Sequence, residues 1–141
     1  MTDPLSFRAT VRWTPSRFSL RRGRAVQVKV FNKPENLPVP LFARYARKST
    51  LQVLRDIRHR RLLALSLGSR GMRIPAWQLQ PSARKLTQGV LQGAKKGDEL
   101  TIYFVLAARE EAVGGRVAVD TVRFGNLARV QETVLWRLGF H

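Results

Sequence analysis

Residues 48–79 constrain the fold more tightly than any other stretch of this chain. Ser49 and Gln52 stand in capping-box spacing, so a helix is expected to start at Ser49 and run to about His59. Leu51, Leu54 and Ile57 form one stripe of that helix, with Val53 beside it. Gln52, Arg55 and His59 form another, with Arg58 near its edge. Residues 62–67 and 72–79 are apolar runs separated by Gly68, Ser69, Arg70 and Gly71, which reads as a hairpin. The two glycines supply the positive φ that such turns need. Pro75 is expected to end the pairing, and Trp77 and Leu79 to fold back on the core. Arg70 sits at the tip and Arg73 on the returning strand.

Charge narrows the partner. The 141 residues hold 26 Lys and Arg against 9 Asp and Glu, a net charge of +17. Self-repulsion on this scale opposes compaction and is usually kept because a polyanion is bound. The first 80 residues carry 17 of the basic and 3 of the acidic side chains, so the cationic surface is expected there. Residues 81–141 are nearly balanced. A hydrophobic fraction of 44% suffices for a real core.

The flanks read as follows. Phe7, Ala9, Val11 and Trp13 alternate with Arg8, Thr10 and Arg12, which predicts a half-buried strand with a cationic outer face. Val26, Val28 and Val30 alternate again, and Arg21, Arg22, Gly23 and Arg24 lie between as a turn. Residues 6–31 thus read as a basic antiparallel pair, or in part as a mobile arm. Pro34, Pro38 and Pro40 mark a linker or extended lead-in. Residues 41–46 predict a short helix with Pro40 in its first turn. Beyond Pro81 three helices are expected, at about 83–93, 98–110 and 126–138, capped for the last two by Asp98 and Asn126. Gly114, Gly115 and Gly125 punctuate the tail.

The expected fold class is α+β, mainly α. Its parts are a basic N-terminal strand pair or arm (1–36), a winged helix-turn-helix core (37–80) and a helical C-terminal segment for oligomerisation or partner binding (81–141). On that frame the helix at 49–59 is a recognition helix and residues 62–79 are a basic wing. Gln52, Arg55 and His59 would face base edges, with Arg58 at their edge, since Arg suits guanine and Gln suits adenine. Lys48, Ser49 and Thr50, at a helix N-terminus, suit a phosphate. Arg70 and Arg73 would grip the backbone or minor groove. Arg8, Arg12, Arg21, Arg22 and Arg24 add phosphate contacts, or else face a second copy.

Catalysis finds no support. His59 and His141 are the only histidines, cysteine is absent, and no nucleophile–base order or phosphate loop appears. The carboxylate pairs Asp98–Glu99 and Glu110–Glu111 fit helix ends on a solvent face. Trp13, Trp77 and Trp136 read as core side chains. No enzyme, metal or cofactor is expected. No apolar run approaches the roughly 20 residues of a membrane span, and no secretory leader is visible, which implies a cytoplasmic, nucleoid-associated protein.

Within Phe42 to Leu79, residues 42–49, Arg60 to Leu65, Gly68, Arg70, Gly71 and the run Arg73 to Leu79 resemble a bacterial family of small DNA-binding proteins related to the Xre/MbcA/ParS-type antitoxins. Residues 100–106, then Gly114, Gly115 and Arg116, then Val119 to Gly125, are similar to the family's later pattern. The likeness spans roughly residues 41–130. It implies a homodimer that binds operator DNA, with a C-terminal part that masks a toxin. Where the family carries Thr-Pro after Gly-Gly-Arg, this chain has Val117 and Ala118. The leading expectation is a sequence-specific double-stranded DNA-binding transcriptional regulator. The alternatives are an antitoxin-like module acting through residues 81–141, and an RNA-binding accessory protein.

Overall fold

The computed structural model describes residues 17–107, 109–110 and 116–140. These form an α+β, mainly helical structure with a small three-stranded antiparallel sheet. In chain order come α1 (Arg17–Phe31), β1 (Asn36–Pro38), α2 (Val39–Ala46), α3 (Thr50–Arg58), β2 (Leu65–Ser66) and β3 (Met72–Pro75). Then follow α4 (Pro81–Gly93), α5 (Glu99–Ala107), β4 (Arg109–Glu110), β5 (Arg116–Val117), α6 (Ala118–Thr121) and α7 (Leu127–Leu138). The first sheet has the order β1-β3-β2, with Leu37 opposite Ile74 and Leu65 opposite Arg73. β4 pairs antiparallel with β5.

The N-terminal strand pair is the main departure from expectation. Residues 25–31 and the supposed turn at 21–24 lie within one helix, α1. Val30 and Phe31 are buried and Gln27 is half-buried, at i, i+3 and i+4, while Val26 is exposed. A window of alternating valines fits a helical stripe as well as a strand face when its ends pack on something. Here Val30 joins the core around Leu63 and Leu65, and Gln27 Nε2 donates to Ser66 O at 3.1 Å. Arg21, Arg22 and Arg24 therefore belong to a helix. The strand expected at residues 7–13, with Arg8 and Arg12, lies outside the described residues, as do Gly114 and Gly115.

The proline-rich lead-in is also more ordered than its sequence implies. Residues 36–38 are a strand, and Pro40 sits in the first turn of α2, where its missing N–H costs nothing. Asn36 is buried, and its Nδ2 donates to Val30 O at 2.8 Å, tying α1 to the sheet.

A hairpin forms, shorter than expected: β2 covers only Leu65–Ser66 of the run 62–67, and β3 ends at Pro75, with Ala76–Leu79 a 3₁₀ turn. Gly68 and Gly71 take φ of +51° and +83° around a short 3₁₀ turn holding Arg70. Gln78, fully buried, completes it from outside. Its Oε1 accepts from Leu63 N–H at 2.7 Å and its Nε2 donates to Leu63 O at 2.9 Å. One amide side chain thus pairs with both backbone groups of a residue just ahead of β2, as a neighbouring strand would.

The C-terminal helices fall near their predicted ranges. α5 stops at Ala107, and residues 109–110 turn to strand. Asp98 caps α5, its Oδ2 accepting from Thr101 N–H at 3.0 Å. Asn126 holds the N-cap position of α7 but makes no side-chain cap bond; its Oδ1 accepts instead from Arg123 N–H. α4 packs against α7, which comes close at Gly93, where a Cβ would stand 2.9 Å from the Leu135 methyls. Leu86, Val90, Ile102, Leu106, Val130 and Val134 fill the larger core. A smaller one, of Phe42, Ala43, Val53, Leu62, Ala64 and Ile74, sits under α2 and α3. Trp77 joins the larger core at its edge, stacked on Tyr103 at 5.3 Å, while Trp136 is 62% exposed rather than buried.

Candidate nucleic-acid interface

α3 begins where its sequence says. Ser49 is the N-cap, and its Oγ accepts from Gln52 N–H at 3.0 Å. The second half of the capping box is not used. Gln52 Nε2 donates instead to Asp56 Oδ1 at 3.1 Å.

Asp56 is one residue that sequence reasoning missed. It is 3% exposed and faces inward from the last turn of α3. Lys48 Nζ lies 3.1 Å from Oδ2, and Arg61 Nη1 lies 3.4 Å from Oδ1. Burial pushes the carboxyl upward, but hydrogen bonds from Lys48, Arg61 and Gln52 and the Lys48 charge outweigh it, so the net shift is downward. The carboxylate joins the residue before the cap, the first turn of α3 and the chain just after the helix. Its signal was available: between Glu35 and Asp98 it is the sole acid.

This hub decides which side of α3 points outward. Val53 and Asp56 face in. Leu51, Arg55, Arg58 and His59 are exposed, as are Ser49 and Thr50. Leu51 was expected on the inward stripe and is 64% exposed, because the smaller core is filled from Val53 and Ile57 instead. Gln52 was expected on the outward stripe and is half-buried against Asp56.

The predicted contact residues therefore separate into two sets. Thr50, Arg55, Arg58, His59 and Arg70 are exposed, with no side-chain hydrogen bond or ion pair among the described residues. Arg44 and Arg47, which flank exposed Tyr45, extend the same cationic surface across the α2–α3 turn; the sequence reading left them out. Lys48, Gln52 and Arg73 serve the fold, as does the Ser49 Oγ in its cap, although Ser49 itself is exposed. Arg73 is half-buried, its guanidinium 4.9 Å from the Phe31 ring centroid and donating to Asn36 O at 3.3 Å.

No family model, curated protein or solved structure matches this chain. The site is thus characterised by its own geometry.

The end of α3 is latched to the C-terminal helices. Arg60 takes a left-handed φ of +56°, which aims its side chain at the C-terminus of α4. Its Nε and Nη2 donate to Leu91 O and Ala94 O at 3.2 and 2.9 Å, carbonyls a helix end leaves free. Gln92 Nε2 donates back to Arg60 O at 3.1 Å. Among the described residues no group of His, Asp and Glu could hold a metal ion, and no helix is long and apolar enough to cross a membrane.

Proposed function

We propose that this protein is a double-stranded DNA-binding regulator of the winged helix-turn-helix type. The observation that carries the reading is the outward face of α3. Arg55, Arg58 and His59 stand there together, directly ahead of a hairpin whose tip presents Arg70. The succession α1-β1-α2-α3-β2-β3, with sheet order β1-β3-β2, supports this reading, in which the second helix of a pair enters the major groove and a hairpin flanks it. Residues 36–80 hold nine Lys and Arg and one acid, and that acid is buried, so the exposed charge is of one sign. In this reading α3 enters the groove, Ser49 and Thr50 approach a phosphate at its N-terminus, and Arg70 grips the backbone from the wing.

The test is duplex binding by fluorescence anisotropy across a salt series. Affinity falls as salt rises, with a log–log slope of about −0.9 per phosphate neutralised. Arg70→Ala lowers the slope by about one contact, and the double change Arg55→Ala with Arg58→Ala weakens binding at least about tenfold. Affinity that is flat in salt for every duplex overturns the reading.

A second reading concerns the tail. An open groove of about 390 Å³ runs along α7, lined by Leu127, Ala128, Leu135 and Phe140 together with Gln131 and Glu132. It supports a protein-binding task for residues 81–141, such as a partner or a second copy. Ala128→Arg, on an exposed position, removes that association in light scattering or co-purification. Unchanged mass overturns it.

A further inference from the structure

The cationic face of α3 has one apolar member. Leu51, Arg55 and Arg58 occupy positions i, i+4 and i+7, within an arc of roughly 60° at 3.6 residues per turn. Leu51 is 64% exposed at the centre of that arc, in the first turn of the helix. A leucine this exposed, sharing one helix face with two arginines, gains nothing from solvent. The smaller core is closed without it, by Val53 and Ile57.

A groove-facing helix gives such a residue a task. The thymine 5-methyl is the one apolar group in the coding pattern of the major groove, and residues of the first turn reach base edges. We propose that Leu51 is a specificity-determining residue that packs on a thymine methyl. Arg55 beside it takes the O6 and N7 of a guanine. The two side chains are separated by about 6 Å of helix rise, close to two base steps. The recognised site therefore carries a T·A pair one or two steps from a G·C pair. This rests on the DNA-binding reading above. It also replaces Gln52 as a base reader, because the Gln52 amide is committed to Asp56 at 3.1 Å. Exposed Tyr45, across the turn with Arg44 and Arg47, is placed for the flanking phosphate backbone.

The experiment uses the full chain and a duplex library with a randomised core of about 20 base pairs, selected at moderate salt. The best duplex is then remade with deoxyuridine at each thymine in turn, which deletes one methyl and no hydrogen bond. At one position the wild-type protein loses about fourfold in affinity, as expected for one buried methyl group. Leu51→Ala binds the thymine and uracil duplexes alike, and circular dichroism shows its fold intact. Arg55→Ala relaxes the choice at the neighbouring G·C pair by about fivefold or more. If thymine and uracil duplexes bind equally everywhere, or Leu51→Ala weakens all duplexes by the same factor, the role of Leu51 is overturned while DNA binding stands. If no duplex is retained even at low salt, both fall. A site preferring single-stranded or A-form RNA also overturns it, since uracil has no methyl to read.

Discussion

The two halves of this molecule divide their side chains differently. Residues 36–80 hide one carboxylate and nine hydrophobic side chains, six of them in the smaller core, and leave six of their eight arginines exposed. Residues 81–140 do the reverse: they hold most of the larger core and mix charges of both signs on the surface. The front half is a surface that a small core supports. The back half is a core that α4, α5 and α7 enclose. The halves are not independent, because Leu63 and Leu65 from the front lie in the larger core, beside Val30 of α1. Arg60 and Gln92 join the helix ends across the boundary. The difference teaches that a strongly cationic face can rest on a small core that is anchored to a larger one.

The largest expected effect tests that anchoring. Leu86→Ala, at a fully buried position in the larger core, costs about 3 to 5 kcal/mol. Ile74→Ala, in the smaller core, costs about 2 to 5 kcal/mol. If the cores are coupled, urea melts of both variants followed by tryptophan fluorescence and circular dichroism show one transition, shifted and not split. Two separated transitions would break the comparison into two units.

A smaller effect concerns Asp56. Its folded carboxyl titrates below its usual value, so the stability it provides is complete above about pH 4. That contribution is lost as pH falls through the folded value. Asp56→Asn costs about 1 to 2 kcal/mol at neutral pH, because Lys48 and Arg61 reach partly into water. It also flattens the acid limb of a stability-against-pH curve. An unchanged acid limb would remove Asp56 as the hub of the front half.

The smallest effect contrasts two arginines in the same backbone state. Arg47 and Arg60 both follow helices with left-handed φ, +58° and +56°. Arg47→Gly relieves strain at an exposed cap and stabilises by about 0.5 kcal/mol. Arg60→Gly relieves the same strain but destabilises by about 1 kcal/mol, since the bonds to Leu91 and Ala94 are lost. Thermal melts that move in the same direction would show that the latch contributes nothing.

Much of the front half was legible because its signals are local. Ser49 as N-cap, the glycine turn at 68–71 and Pro40 at a helix start each depend on a few adjacent residues. The face of α3 was not fully legible, since counting every leucine as inward assumes that the core is wholly apolar. A buried Asp56 takes one of those places and Leu51 is turned out. α1 was misread because Val26, Val28 and Val30 satisfy the two-residue period, and only contacts with Leu63 and Ser66, far along the chain, settle the matter. The internal use of Arg73 was illegible for the same reason: Phe31 and Asn36 lie some forty residues away.

The Gln78 amide also sets a timescale. Leu63 N–H has no strand partner, so its exchange with solvent deuterium requires that this one side chain let go, or that the larger core open. In wild-type protein the Leu63 amide should exchange as slowly as those of β3. In a variant that shortens residue 78 it should exchange faster while its neighbours hold. A single proton would then report how often the chain between α3 and the hairpin comes loose.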